Sequence, residues 1–126
     1  MKKIIVILLL LCGSIFSPSL FAAKNCRQAC QECVLACADC ITVCNQIPEE
    51  VCRKCVQACA ECIKKCEACS INPKKHDCSK VCKDCIEACD ACIKAFSESD
   101  ESLHPRCVEV CNKCIAKCDA CIVACK

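Results

Sequence analysis

Three observations predict an all-α fold, an antiparallel up-down-up-down four-helix bundle with a cysteine-lined core. Cysteines alternate at spacings of four and three residues, as in CRQACQECVLACADCITVC over 26–44; this is how a helix lays down one continuous stripe. The stripe returns in four segments, each carrying a shared unit such as CQECV, CAECI, CKDCI or CNKCI, and a sustained heptad period means packed helices. Glycine is absent after Gly13, so nothing supports strands joined by tight hairpins.

The chain opens with Lys2 and Lys3, an apolar run from Ile4 to Leu11, and the breaker-and-small-residue stretch SPSLFAA. These features predict a secretory signal peptide over 1–22, with cleavage near Ala22 or Ala23. The run is short for a membrane span, so no membrane attachment is expected after cleavage. Leu11 stands where lipid attachment at Cys12 calls for a small residue. No twin-arginine pair is present. Export by the general secretory route, to the periplasm or the cell exterior, is the expectation.

Residues 23–126 are predicted to form the bundle. The first helix is expected over about 25–46. Pro48, with Glu49 and Glu50 behind it, suits the start of a second over about 49–70. Asn72 and Pro73 break the chain before a third, over about 75–96. SESDES (97–102) reads as a loop, and Pro105 suits the first turn of a fourth helix over about 104–126. Short connections between helices of this length favour antiparallel neighbours.

That topology stacks the stripes into layers of four. One end takes Cys26, Cys69, Cys78 and Cys125. Below it come Cys30, Cys66, Cys82 and Cys121; Cys33, Cys62, Cys85 and Cys118; Cys37, Cys59, Cys89 and Cys114; and Cys40, Cys55, Cys92 and Cys111. The far end takes Cys44, Cys52 and Cys107, with Phe96 in place of a thiol. Val34, Ile41, Val56, Ile63, Ile86, Ile93, Ile115 and Ile122 flank the stripes and are expected to seal helix against helix.

Composition removes several function classes. The formal charge of +2 is accounted for by Lys2 and Lys3, so the bundle itself is neutral. With Phe96 its single aromatic residue, it has neither the basic footprint nor the stacking platform of a nucleic-acid binder. A thiol-redox enzyme uses one reactive C-x-x-C at a helix start, not a continuous array, and no other acid–base or nucleophilic constellation is present. The expectation is that the protein is not an enzyme.

Two chemistries remain for a column of thiols. Cysteine-rich exported proteins are often disulfide scaffolds. Residues four apart on a helix, however, have β-carbons about 5–6 Å apart, against roughly 3.5–4.5 Å for a disulfide. Soft thiolates select Cu(I), zinc or iron–sulfur clusters. A thiolate that bridges two Cu(I) ions brings the ratio towards one ion per cysteine and leaves the buried column near neutral. Zinc held by four unshared thiolates would leave two negative charges per site in a core without cations. The residues therefore point to multiple Cu(I) ions per chain, roughly one per core cysteine. A disulfide-stapled protein and a zinc- or cadmium-binding protein are the alternatives. His76 and His104, ahead of the third and fourth helices, are candidate ligands for admitting copper at opposite bundle ends, or plain helix-start residues.

Four helices lined with C-x-x-x-C pairs, here Cys26/Cys30, Cys33/Cys37, Cys40/Cys44, Cys55/Cys59, Cys62/Cys66, Cys78/Cys82, Cys85/Cys89, Cys107/Cys111, Cys114/Cys118 and Cys121/Cys125, resemble the bacterial copper storage proteins. The resemblance runs over residues 26–125. It implies Cu(I) storage by thiolate coordination, a part in copper homeostasis, and assembly of bundles into a homo-oligomer, often a homotetramer.

Overall fold

A computed structural model describes residues 25–126; the expected signal sequence and its cleavage point lie outside them. The described residues form four helices: α1 (Cys26–Cys44), α2 (Glu50–Ile71), α3 (Ser79–Phe96) and α4 (His104–Ala124). Each boundary has a local cause. Asn25 caps α1, its side-chain oxygen accepting the Gln28 N–H at 2.8 Å and so satisfying one of the donors a helix start leaves free. Pro48 stands before α2, Glu49 accepts at its carbonyl from the Cys52 and Arg53 amides, and Glu50 pairs with Arg53. Pro105 falls at the second residue of α4, where its missing N–H costs nothing.

The third helix starts four residues later than the spacing predicts. Asn72 and Pro73 are followed by a turn, and the chain becomes helical only at Ser79, whose N–H is accepted by the Asp77 carboxylate at 3.0 Å. That amide, reinforced by the Ser79 side chain, holds the Asp77 carboxyl below its ordinary range.

Each helix packs against two others, in the closed ring α1–α2–α3–α4–α1. Sulfur pairs give the directions: Cys33 meets Cys62 and Cys40 meets Cys55 across α1 and α2, while Cys30 meets Cys121 and Cys44 meets Cys107 across α1 and α4. Cys66 meets Cys82 and Cys55 meets Cys89 across α2 and α3; Cys78 meets Cys121 and Cys85 meets Cys114 across α3 and α4. In every pair one number rises as the other falls, so all neighbours are antiparallel.

The core is almost entirely sulfur. Every cysteine from Cys30 to Cys121 is buried. Cysteine behaves as a small hydrophobe, so each contributes less than the roughly 1.5–3 kcal/mol of a buried large aliphatic side chain. The eight flanking Val and Ile residues lie partly buried against this column, as their positions predict. Outside, Lys80–Asp84 and Lys94–Asp90 pair at i,i+4 on one face of α3, and Lys117 of α4 reaches Glu32 of α1 at 3.2 Å.

One expectation about the core is corrected. The layering expected from sequence holds across α1, α2 and α4, but α3 is displaced by one layer. Cys85 contacts Cys37, Cys59 and Cys114 at 3.9, 3.5 and 3.6 Å, where Cys89 was expected. Cys89 instead joins Cys40, Cys55 and Cys111. The late start of α3 is the physical reason: its first cysteine, Cys78, sits one step further into the bundle. Phe96 is thereby pushed beyond the last thiol layer instead of occupying it.

Candidate metal centre

With α3 in its observed register, the thiols form five complete layers: Cys44/Cys52/Cys92/Cys107, Cys40/Cys55/Cys89/Cys111, Cys37/Cys59/Cys85/Cys114, Cys33/Cys62/Cys82/Cys118 and Cys30/Cys66/Cys78/Cys121. Contacts within layers include Cys30–Cys121 at 3.4 Å, Cys59–Cys85 at 3.5 Å, Cys33–Cys118 at 3.6 Å, Cys62–Cys82 at 3.8 Å and Cys66–Cys121 at 3.9 Å. The layers also touch one another along each helix. Cys40–Cys44, Cys62–Cys66 and Cys107–Cys111 lie at 4.0, 3.9 and 4.0 Å. The sulfurs of Cys40, Cys55, Cys89 and Cys111 all lie within 4.8 Å of one another, as do those of Cys33, Cys37, Cys62 and Cys118. These groups could hold metal ions.

The spacing suits thiolate coordination. With metal–sulfur bonds of about 2.3 Å, two ligands stand about 4.6 Å apart in linear geometry and about 4.0 Å apart in trigonal geometry. Pairs now in contact reach those separations by small rotations about their side-chain bonds.

The electrostatics of the column resist full ionisation without a cation. Burial pushes the Cys30 and Cys52 thiols up to about 11 and Cys69 up to about 12, because a thiolate there has lost its water. Cys40 is lowered to about 6 by the Cys111 thiol donating to it, and Cys78 to about 7 by Cys121 and then Cys66. Donor and acceptor are thus bound in opposition: a sulfur that ionises is stabilised by S–H neighbours, which are then held protonated. Cys33 is lowered and Cys118 raised on this account, each through the other first or among its strongest partners. Soft cations would release the whole set together.

The remaining predicted site residues divide. Cys69 is buried at the end of α2, beside Cys78 at the start of α3. Cys26 and Cys125, expected as metal ligands, are joined in a disulfide; in this state neither offers a thiolate. Their pairing was not predicted because cysteine connectivity does not follow from sequence alone. His76, half-buried, lines an open hollow of about 370 Å³ beside Cys125. His104 is buried at the opposite end, as the first residue of α4. Its Nδ1 and the Ser99 hydroxyl lie 2.8 Å apart in a hydrogen bond, and its ring stacks on Phe96 with centroids 3.9 Å apart. These contacts give His104 a packing role. Ser99, which orients it, carried no signal in the sequence beyond membership of a polar loop.

Fold and site together define a four-helix bundle whose core is a cysteine column able to bind metal. No family model, characterised protein or solved structure matches the chain. Among the described residues no helix is long and apolar enough to cross a membrane.

Proposed function

We propose that this protein stores or sequesters Cu(I), many ions per chain, on the thiolates of its core. The observation that carries the reading is the continuity of the column: five four-sulfur layers touching along the bundle axis, with no nitrogen or oxygen ligand interleaved. A donor set made only of thiols is soft and favours Cu(I). Because adjacent layers are in contact, each sulfur can serve two ions, and one Cu(I) then replaces one thiol proton. The core stays neutral as it fills. Filling would bring on the order of 20 ions per chain, by the same one-to-one exchange.

Zinc is the second reading. A single layer can supply four sulfurs, but five sites of four unshared thiolates would each carry two negative charges into a core whose described residues include no buried cation. The sequence features at the N-terminus support export, and the resemblance to copper storage proteins supports assembly of bundles into a homotetramer.

Anaerobic titration of the reduced protein with Cu(I), against a competing coloured chelator and with thiols counted in parallel, tests the reading. Uptake approaching one ion per core thiol is the expected result. Saturation at five ions or fewer, or preferential retention of zinc, would overturn it.

A further inference from the structure

The two ends of the column differ, and the difference assigns them separate tasks. At the end formed by the start of α4 the column is plugged. Phe96, His104 and Ile47 are all buried there, Phe96 and His104 are stacked on each other, and the small hollow outside them, about 110 Å³, reaches His104 but no cysteine. At the opposite end the displaced α3 leaves the last layer incomplete. Cys69 shares Cys78 with the layer below it, and the position above Cys30 and Cys121 is covered by the Cys26–Cys125 disulfide.

That disulfide is placed to control access. Cys26 and Cys125 are the only cysteines among the described residues that are partly exposed. Cys125 borders the open hollow shared with His76 and Lys126. On the inner side its sulfur lies 3.6 Å from Cys30 and 4.0 Å from Cys121, and Cys26 lies 3.9 Å from Cys30. The bond therefore lies between solvent and the first complete thiol layer.

We propose that Cys26 and Cys125 form the single transfer site through which Cu(I) enters and leaves the column, and that the Cys26–Cys125 disulfide closes it. The inference rests on the Cu(I) reading for its cargo, though not for its gating. Opening takes a dithiol reductant. One of its thiolates attacks a sulfur of the bond, the bond between Cys26 and Cys125 breaks, and the second thiol resolves the mixed disulfide. Two electrons and two protons pass to Cys26 and Cys125, and the reductant leaves as its own disulfide. The freed thiols then give an arriving ion a landing site that continues into Cys30 and Cys121 of the first complete layer. Reoxidation by a disulfide-donating partner reverses each step and shuts the filled or empty column.

The test compares three proteins: the wild type with this disulfide intact, the wild type reduced with dithiothreitol and desalted anaerobically, and the Cys26→Ser/Cys125→Ser variant. Two readouts are followed: the rate of Cu(I) capture from a chelator complex, and the rate at which N-ethylmaleimide modifies the buried thiols, resolved by intact mass. The oxidised wild type should be labelled at least tenfold more slowly than the other two, and should capture Cu(I) at least tenfold more slowly than the reduced wild type. Reduced wild type serves if the variant does not fold. Equal labelling rates in oxidised and reduced protein would overturn the gate, whatever the copper result. Gated labelling without copper capture would leave the gate standing and refute the Cu(I) reading instead.

Discussion

Replacing Phe96 by alanine separates the observed register from the one expected from cysteine spacing. The side chain is 6% exposed and stacks on His104 with an interplanar angle of 22°. Buried Phe→Ala substitutions cost about 3–5 kcal/mol, and a site at a bundle end can collapse partly into the gap, so the lower value, about 3 kcal/mol, applies. For a domain near this size each kcal/mol moves Tm by about 4–8 °C, which gives a fall of about 12–24 °C. Far-UV circular dichroism of the reduced, metal-free protein measures it. Copper capacity is the discriminating readout. Phe96 lies beyond the Cys44/Cys52/Cys92/Cys107 layer, so the variant should bind as many ions as the wild type, and Phe96→Cys should add none. A Tm within about 2 °C of wild type would refute the plug. A gain of an ion by Phe96→Cys would refute the register.

Loading should stabilise the bundle steeply. Each site held at a hundredfold excess of free ion over its Kd adds about 2.7 kcal/mol, and apo and loaded proteins melting together would contradict a metal-filled core. The reduced apo bundle should be labile to alkali. Burial raises Cys30, Cys52 and Cys69 from 9.0 to about 11, 11 and 12. The stability held by their neutral thiols is therefore complete below pH 9 and is lost as the pH climbs through 11 to 12; denaturant midpoints measured across that range report it. Asn25→Ala removes the α1 cap and should cost about 1 kcal/mol in chemical denaturation, with no change in the copper taken up.

Helix number, their antiparallel order and the burial of the cysteine stripe were legible because a four–three spacing has one structural solution when it recurs in four segments. Pro48 and Pro105 marked helix starts for the same reason they do elsewhere: each removes a donor that a helix interior needs. The axial position of α3 was not legible. Sliding a cysteine stripe by one step past another sets thiol against thiol again, so the core side chains do not distinguish neighbouring registers. Leucine and isoleucine, which differ in where they branch, would have done so. The choice falls to features at the ends: the Asp77–Ser79 start, the fit of Phe96 against His104, and the length of the 72–78 connection. The disulfide escaped for a related reason. Cys26 and Cys125 look like every other member of the repeat, and only their shared place at an incomplete end sets them apart.

Layers that are chemically alike and stacked about 5 Å apart, one step of three or four residues at 1.5 Å each, also have a consequence for order in time. With Phe96 and His104 covering one end, ions admitted at the other, as proposed, would fill the deepest vacant positions by passing from sulfur to sulfur, and those around Cys44 and Cys107 would have the longest way back. Such a column would work like a magazine: what was loaded last would be discharged first, and the earliest arrivals would form a reserve drawn upon only when everything above them had gone.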